Sequence, residues 1–255
     1  MTFAPLILVC KCSHYNIIPD SVRSSVLAAL ENEAAQYEAV DDLCRLAAKK
    51  DPNLKRLASS KNLRIAACFP RAVKWLFHAA GAPLNDTAKI SNMRTETAEN
   101  ISSQLLQGAP EGSCKKIEAE ADTWIPWFPV IDYGRCANCK QCLNFCLFGV
   151  YELAHDGKVS VVKPANCKTN CPACAKMCPQ SAIIFPKYSD APIDGAEVLE
   201  GPRKDLSELL PGDIQQAIRQ RAINHLDIPA DVLSSLSPQD IARINNKHKE
   251  AAASE

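Results

Sequence analysis

Two stretches decide how this chain folds, CANCKQCLNFC at residues 136–146 and CKTNCPACAKMCP at residues 167–179. Together they hold eight of the 13 cysteines in the 255-residue sequence. Thiolates at this spacing are typical ligands of iron–sulfur clusters, and in the bacterial two-cluster pattern the fourth cysteine of a run ligates the other cluster. We therefore predict two [4Fe-4S] clusters with crossed ligands. The first ligand set is Cys136, Cys139, Cys142 and Cys178, and the second ligand set is Cys146, Cys167, Cys171 and Cys174.

Zinc and disulfide bonds are the competing interpretations of these cysteines. A structural zinc site takes two separated ligand pairs, and neither finger-like pairs nor histidines at ligand spacing occur in the sequence. Disulfides are expected in small secreted domains. The second stretch has three residues between Cys167 and Cys171 where two are usual, which alters the shape of one loop and leaves the ligand set intact. Cluster ligation is therefore the favoured interpretation.

Residues 128–187 resemble the two-cluster bacterial-type ferredoxin module. The resemblance is carried by the two cysteine runs, by the Cys178-Pro179 ending and by the apolar segments around them. It implies a small α+β domain in which each cluster has four cysteine ligands and no open position for substrate. Such clusters would transfer single electrons, and a purely structural role is the alternative. The expected strands are 131–133, 150–153, 159–162 and 182–185, and the expected short helix is 139–148.

The overall composition excludes several classes of partner. The chain has 29 basic and 29 acidic residues, so no general attraction to nucleic acid or to an anionic membrane is expected. Its apolar stretches are all shorter than about 18 residues, so no membrane span is predicted. The segment 3–9 is short and lacks a basic start, so we interpret it as a buried strand and not as an export signal. A cysteine-rich chain of this kind fits a reducing cytoplasm and a protein partner.

The first hundred residues predict a separate α/β domain with a small parallel sheet. Continuous apolar runs are typical of buried parallel strands, and strands that alternate with helices indicate a sheet covered by helices. The predicted strands are 5–10, 37–40 and 63–69. The predicted helices are 21–35, 41–50 and 70–81. Asp20 or Ser21 is expected to cap the first helix, and Pro70 to begin the third.

Four further cysteines lie near the ends of these elements. Cys10 and Cys12 end the first strand and Cys68 ends a later one. Cys44 lies on the second helix. The carboxyl ends of parallel strands converge at the edge where open α/β sheets build their sites. The pattern alone leaves open a third cluster, a Cys-x-Cys redox dithiol, or small buried hydrophobic residues.

The same domain resembles, over residues 5 to 105, the amino-terminal domain of the A-type flavoprotein component of heterodisulfide reductase. The motifs that carry this resemblance are VCKC at 9–12, Cys44, AACFPR at 66–71 and NMR at 92–94. The resemblance implies a third [4Fe-4S] cluster with Cys10, Cys12, Cys44 and Cys68 as its ligands. Family members often carry another cysteine after the Asn-x-Arg segment, where this chain has Thr95, Glu96 and Thr97. The ligand set therefore departs from the family pattern at that point.

The flavin-binding part of that family has no counterpart in the sequence. A G-x-G-x-x-G fingerprint is missing among the nine glycines, so FAD is not predicted. Any two-electron chemistry would reside on a protein redox partner, such as a flavin- or metal-containing oxidoreductase subunit.

The predicted domain organisation has four parts. They are the α/β domain at 1–108, a linker at 109–127, the two-cluster domain at 128–187, and a mostly helical carboxy-terminal arm with a disordered end at 188–255. Cys114, in the linker, is predicted to be a spectator. The aromatic segment 124–128 is interpreted as an interdomain core, with a docking patch as the alternative.

These observations predict an electron-transfer subunit of an anaerobic cytoplasmic oxidoreductase complex. It would relay single electrons between protein partners, and peripheral association with a membrane complex stays open. No catalytic residue is predicted. One alternative is a heterodisulfide-reductase-like enzyme subunit in which the amino-terminal cysteines are catalytic, and another is a redox-sensing scaffold.

Overall fold

The computed structural model describes residues 4–118 and 123–199 of the chain. The predicted carboxy-terminal arm, residues 188–255, lies mostly outside these ranges, and its predicted helices lie outside them completely. All described residues belong to a single compact unit. This unit contains two bodies of secondary structure that follow one another along the chain.

The first body is built on a five-stranded sheet in which every neighbouring pair of strands is parallel. Its strands are β1 (Leu6–Cys10), β2 (Tyr37–Val40), β3 (Leu63–Ala67), β4 (Lys89–Asn92) and β5 (Cys114–Ile117). Their spatial order is β4-β3-β1-β2-β5. Strands β1, β2 and β3 lie in the middle and are buried almost throughout. This burial on both faces explains the continuous apolar sequence of β1, whereas β2 and β3 each include one buried charged residue, Glu38 and Arg64.

Helices connect the parallel strands, as a parallel sheet requires. They are α1 (Asp20–Asn32), α2 (Leu43–Lys49), α3 (Pro52–Ala58), α4 (Pro70–Ala79) and α5 (Ala98–Leu106). The predicted parallel sheet with covering helices is confirmed, and Pro70 begins α4 as expected. The predicted cap of α1 is wrong, because Pro19 holds the N-cap position and no side chain caps the helix. The proline ring fixes φ near −65°, a value compatible with the start of a helix.

Four elements of this body were not predicted: α3, β4, α5 and β5. Strands β4 and β5 are the edges of the sheet and leave much of their length accessible to solvent, so they lack the apolar runs that mark interior strands. Strand β5 falls within the segment that the sequence assigned to a linker, and it pairs with β2. The sheet therefore extends beyond residue 108.

The second body, residues 128–187, is called the cysteine-rich part below. It contains β6 (Val130–Ile131), α6 (Gln141–Phe145), β7 (Tyr151–Leu153), β8 (Val159–Val161), α7 (Ala173–Lys176) and β9 (Ile183–Ile184). Strands β6 and β9 form one antiparallel pair, and β7 and β8 form another. Each strand and helix predicted here overlaps a shorter observed element. With so little regular structure, loops must position most of the cysteines.

Two hydrophobic cores meet at the segment that leads into the cysteine-rich part. Phe128 and Val130 belong to the core of the α/β body, whereas Trp127 and Ile131 belong to the core of the cysteine-rich part. Residues of one short extended segment thus point into different cores. This arrangement matches the interdomain interpretation of the aromatic segment.

Candidate iron–sulfur sites

The four amino-terminal cysteines lie together at the carboxyl edge of the parallel sheet. Cys10 ends β1, and Cys68 follows β3. Cys12 adopts a left-handed backbone conformation with φ of 49°, and Cys44 lies in the first turn of α2. All four side chains are buried, with only 5–7% of each residue exposed. We call this group the amino-terminal site.

Burial dominates the acid–base properties of the amino-terminal site. It raises the pKa of Cys68 to about 12, and the nearby Cys12 thiol adds to the effect. Burial likewise raises the pKa of Cys10, again with a contribution from Cys12. Buried thiols that face one another resist ionisation because each thiolate would lack solvation and repel its neighbours. A bound iron–sulfur core carries positive charge on its irons and would stabilise four thiolates here, so this donor set fits such a group.

Backbone and carboxylate groups of α2 organise the site. The Leu43 amide lies 3.4 Å from the Cys10 sulfur and donates a hydrogen bond to it. Asp42 is the N-cap of α2, and its Oδ1 accepts hydrogen bonds from the amides of Cys44 at 2.9 Å and Arg45 at 3.2 Å. These contacts fix the first turn of the helix that carries Cys44.

Lys187 is a residue of the amino-terminal site that the sequence did not reveal. Its side chain is 2% exposed and forms an ion pair with Asp42. Its Nζ lies 3.9 Å from the Cys12 sulfur and 5.1 Å from the centroid of the Tyr15 ring. Burial works to lower the pKa of Lys187, but Cys44 and Asp42 outweigh it and the pKa is raised, so the ammonium stays charged. Because 175 residues separate Lys187 from Cys12, no local pattern could have indicated the contact.

The first ligand set of the cysteine-rich part comes together across the two cysteine runs. Burial raises the pKa of Cys142 to about 12, and the thiols that add to the rise are those of Cys178, Cys136 and Cys139. Cys178 follows α7, far along the chain from the other three, and its sulfur accepts a hydrogen bond from the Ala182 amide at 3.3 Å. The structure therefore brings the distant fourth cysteine to the other three.

Asn138 shapes the loop between the first two cysteines of that set. Its backbone is left-handed, with φ of 53°, a conformation that asparagine tolerates better than most residues. Its side-chain amide donates to the Gly157 carbonyl at 2.9 Å, and its side-chain oxygen accepts from the Val159 amide at 3.1 Å. The cysteine loop is thereby tied to the hairpin of β7 and β8.

The second ligand set also comes together. Burial raises the pKa of Cys167 to about 12, with further contributions from Cys174, Cys171 and Cys146. The Tyr151 hydroxyl donates a hydrogen bond to the Cys174 sulfur at 3.1 Å. Tyr151, which lies on β7 of the β7–β8 hairpin, thus holds the Cys174 sulfur in place.

The loop between Cys167 and Cys171, which is one residue longer than usual, includes a residue with a left-handed backbone conformation. Asn170 lies directly before Cys171 and takes a left-handed conformation with φ of 60°. The extra residue is thereby accommodated at an amino acid that accepts this geometry at low cost.

Within residues 4–118 and 123–199, no group of three or more His, Cys, Asp or Glu side chains is arranged to hold a single metal ion. Ligands of a four-iron cube each bind a different iron, so their sulfurs do not need to converge on one point. This finding therefore does not count against clusters held by four separated thiols.

Trp127 lies between the amino-terminal site and the second ligand set. Its ring centroid is 5.7 Å from that of Tyr15, which packs against Lys187. Its indole nitrogen donates to the Cys171 carbonyl at 3.5 Å. Cys167 of the same ligand set packs against the core of the α/β body. The second ligand set is therefore the one that borders the amino-terminal site.

Cys114, the cysteine outside all three groups, lies on edge strand β5. Cys114 is exposed, and its register partner in β2 is Tyr37.

None of the described helices is both long and apolar enough to cross a membrane.

Comparison with known proteins identifies one relevant similarity. No protein-family model matches the chain. Over 63 residues the chain is 54% identical to a protein described as an uncharacterized ferredoxin from Methanocaldococcus jannaschii. The matched region covers 24% of this chain and 42% of that protein, so the chain spans less than half the length of this relative. The chain thus contains a ferredoxin-related segment.

Proposed function

We propose that this protein relays single electrons between protein partners by means of two [4Fe-4S] clusters in its cysteine-rich part. The observation that supports the proposal is that Cys142 interacts electrostatically with Cys178, Cys136 and Cys139, and Cys167 with Cys174, Cys171 and Cys146. This grouping is the one that crossed ligation of two clusters requires. The 54% identity over 63 residues to a protein described as an uncharacterized ferredoxin also supports the proposal.

When bound, a [4Fe-4S] cluster gains or loses one electron at a time. The protein supplies thiolate ligands, a poorly hydrated environment and hydrogen bonds to sulfur. The Tyr151 hydroxyl and the Ala182 amide provide such bonds to Cys174 and Cys178. With four cysteines for each cluster, no iron has an open position, so substrate would not bind there.

The proposal includes a third [4Fe-4S] cluster at the amino-terminal site. Four buried thiols whose pKa values are raised by burial, an amide that donates to one sulfur and a buried ammonium group support it. A cluster with four thiolate ligands is an anion as a whole, so a buried cation at 3.9 Å from one ligand sulfur suits it well. The ligands would be Cys10, Cys12, Cys44 and Cys68.

The proposal extends to the functional context. The protein would act within a larger anaerobic oxidoreductase complex in the cytoplasm, where a flavin- or metal-containing subunit performs the two-electron reaction. Its working parts would be the α/β domain and the two-cluster domain, with strand β5 extending the former into the predicted linker.

A catalytic role for the amino-terminal cysteines in disulfide reduction is the second candidate function. The adjacency of Cys10 and Cys12 and the resemblance to a heterodisulfide reductase component favour it. Reactive cysteines, however, need an accessible sulfur and a lowered pKa. Both residues are 5% exposed, and burial raises the pKa of each thiol. The geometry therefore supports ligation better than thiol exchange.

Iron and sulfide analysis of the anaerobically purified chain, combined with EPR spectroscopy, tests the proposal. About twelve irons per chain are expected for three clusters, and about eight would restrict the protein to its cysteine-rich part. A folded chain that contains no iron, or only zinc, would refute the proposed function.

A further inference from the structure

A small cavity lies where strands β3 and β4 meet the end of helix α5. Its volume is about 140 Å³. The residues that line it are Arg64 of β3, Lys89 and Ser91 of β4, and Gln104, Leu105 and Gln107 at the end of α5. Among the described residues, none that lines it is acidic. We call this space the β4 cavity, and it is separate from the amino-terminal site, which lies at the carboxyl edge of the sheet.

Two cationic side chains line the β4 cavity from neighbouring strands. Arg64 and Lys89 are register partners in the parallel pairing of β3 with β4, so their side chains lie on the same face of the sheet. Like charges at directly opposed positions destabilise a sheet. Within residues 4–118 and 123–199, neither side chain forms an ion pair with a carboxylate. The protein therefore does not offset this repulsion with an acidic side chain there.

The end of α5 holds one part of the Arg64 guanidinium. Its Nη1 donates to the carbonyls of Gln104 at 2.8 Å, Leu105 at 2.9 Å and Gln107 at 2.6 Å. These bonds satisfy carbonyl groups that the end of a helix leaves without partners. In contrast, Nε of the same guanidinium is buried and has no hydrogen-bond partner in the part of the chain that the structure describes. Arg64 thus caps a helix with one nitrogen and keeps an unsatisfied donor at another.

An unsatisfied buried N–H group is costly, and folded proteins nearly always pair it. Nε shares an edge of the guanidinium with Nη2, and an oxyanion can bind such an edge through two parallel hydrogen bonds. Burial lowers the pKa of Arg64, but arginine remains protonated in proteins. Because Arg64 is only 9% exposed, water screens its charge weakly.

The polar network beside the β4 cavity does not supply the missing acceptor. Ser91 Oγ donates to Oε1 of Gln104 at 2.9 Å, and Nε2 of Gln104 donates to Oε2 of Glu96 at 3.3 Å. Glu96 also accepts from the Asn92 amide at 2.6 Å and from the Asn100 side chain at 2.9 Å, and it does not line the cavity. Its carboxylate is therefore engaged elsewhere.

We propose that the β4 cavity binds one small tetrahedral oxyanion, sulfate or inorganic phosphate, between Arg64 and Lys89. Pockets for larger organic ligands have volumes of about 300–1,000 Å³, so this cavity suits a single inorganic anion. The anion accepts hydrogen bonds from the Arg64 guanidinium and from the Lys89 ammonium group. It thereby joins β3, β4 and the end of α5, and it requires no iron–sulfur cluster.

Isothermal titration calorimetry of the anaerobic, iron-loaded full-length chain with sulfate tests this proposal. One sulfate ion per chain should bind in a chloride buffer of constant ionic strength. Lys89→Gln should weaken the affinity by about tenfold or more, because a charge-assisted hydrogen bond is lost. Lys89 is exposed, so this variant should fold. Lys116→Gln is the matched control, since Lys116 is an exposed lysine on β5, the opposite edge strand, and the affinity should not change.

Thermal unfolding provides a second measurement. Sulfate stabilises proteins in general, so the informative quantity is the difference between the wild-type chain and Lys89→Gln. Sulfate should raise the unfolding temperature of the wild-type chain more than that of this variant, because a bound anion stabilises the folded state. Absence of saturable binding of sulfate and phosphate to the wild-type chain, or equal affinities in the wild-type chain and Lys89→Gln, would overturn the proposal. Neither result depends on iron content, so the proposed electron-transfer function would still stand.

Discussion

Arg71 is one of the residues that join the two bodies. Its Nε lies 2.7 Å from Oδ2 of Asp132, and both side chains are less than 10% exposed. Its Nη2 donates to the Ser181 carbonyl at 2.5 Å. Asp132 in turn accepts a hydrogen bond from the Cys136 amide through its backbone carbonyl at 2.9 Å. One buried ion pair thus connects helix α4 to the start of the first cysteine run.

Replacement of this arginine should be strongly destabilising. Arg71→Ala leaves the Asp132 carboxylate buried without its counterion, which typically costs about 3–5 kcal/mol. Chemical denaturation of the anaerobic chain, followed by circular dichroism, would measure the loss. The double variant Arg71→Met with Asp132→Asn should recover much of it, because no isolated charge remains. A denaturation midpoint unchanged in Arg71→Ala would contradict this account of the contact.

The crossed assignment of ligands makes a prediction for Cys178. Cys178→Ser should damage the cluster held by Cys136, Cys139 and Cys142, because those thiols and Cys178 form one electrostatic group. EPR spectra and iron content of the purified variant would show one altered cluster and one intact cluster. Cys114→Ser is the matched control, since that thiol is exposed on β5 and should be dispensable. Selective damage to the cluster of the second ligand set would refute the assignment.

The cysteine ligands and Lys187 show what a sequence can and cannot reveal at the residue scale. Cys139 and Cys142 are separated by two residues, so a local loop determines much of their geometry, and spacing alone indicates their role. Lys187 reaches Cys12 only because the chain returns to the sheet edge after β9. Its sequence neighbourhood contains nothing that distinguishes it from a solvated lysine.

At the scale of elements, the interior strands were predictable and the edges were not. Burial on both faces favours apolar residues on β1 and β3, and this constraint is visible as an uninterrupted apolar run in β1 and as a run broken only by Arg64 in β3. Strand β5 has three exposed residues out of four, so its sequence resembles a linker. Its place in the sheet is set by parallel pairing with β2, a contact between segments that are distant in sequence.

Helix α4 also makes a close contact that constrains a glycine. Gly195 has φ of +99°, and a Cβ built there would lie 2.5 Å from the Cβ of Ala72 on α4. Gly81, just after the same helix, has φ of +71° but no neighbouring atom within 4 Å of such a Cβ. The first glycine is therefore required by conformation and by space, the second by conformation alone.

These two glycines form a matched pair for mutation. Gly81→Ala should cost about 1–2 kcal/mol, the penalty of a left-handed alanine. Gly195→Ala should cost more, because the clash with Ala72 adds to the backbone strain and must move the segment away from α4. Thermal unfolding of both variants under anaerobic conditions would compare them. Equal losses would show that the segment yields freely at Gly195.

At the scale of the whole molecule, the two bodies depend on clusters to different degrees. The α/β body has a large core of aliphatic side chains around a five-stranded sheet. The strands of the cysteine-rich part are two or three residues long, and several of its cysteines pack directly against its small core. Short strands and a small core supply little stability on their own, so ligand binding must contribute much of the folding free energy there.

Removal of iron should therefore unfold the molecule unevenly. After anaerobic chelation, amide hydrogen exchange should accelerate strongly between residues 128 and 187, whereas β1 and β3 should keep their protection because their hydrogen bonds lie inside the aliphatic core. A Cys44→Ser chain that keeps its other two clusters is the control, and its cysteine-rich part should stay protected. Mass spectrometry of exchanged peptides resolves these regions separately. Equal protection of both bodies after iron removal would show that the cysteine-rich part is held by its packing against the α/β body, through contacts such as Arg71 with Asp132, and not by its clusters.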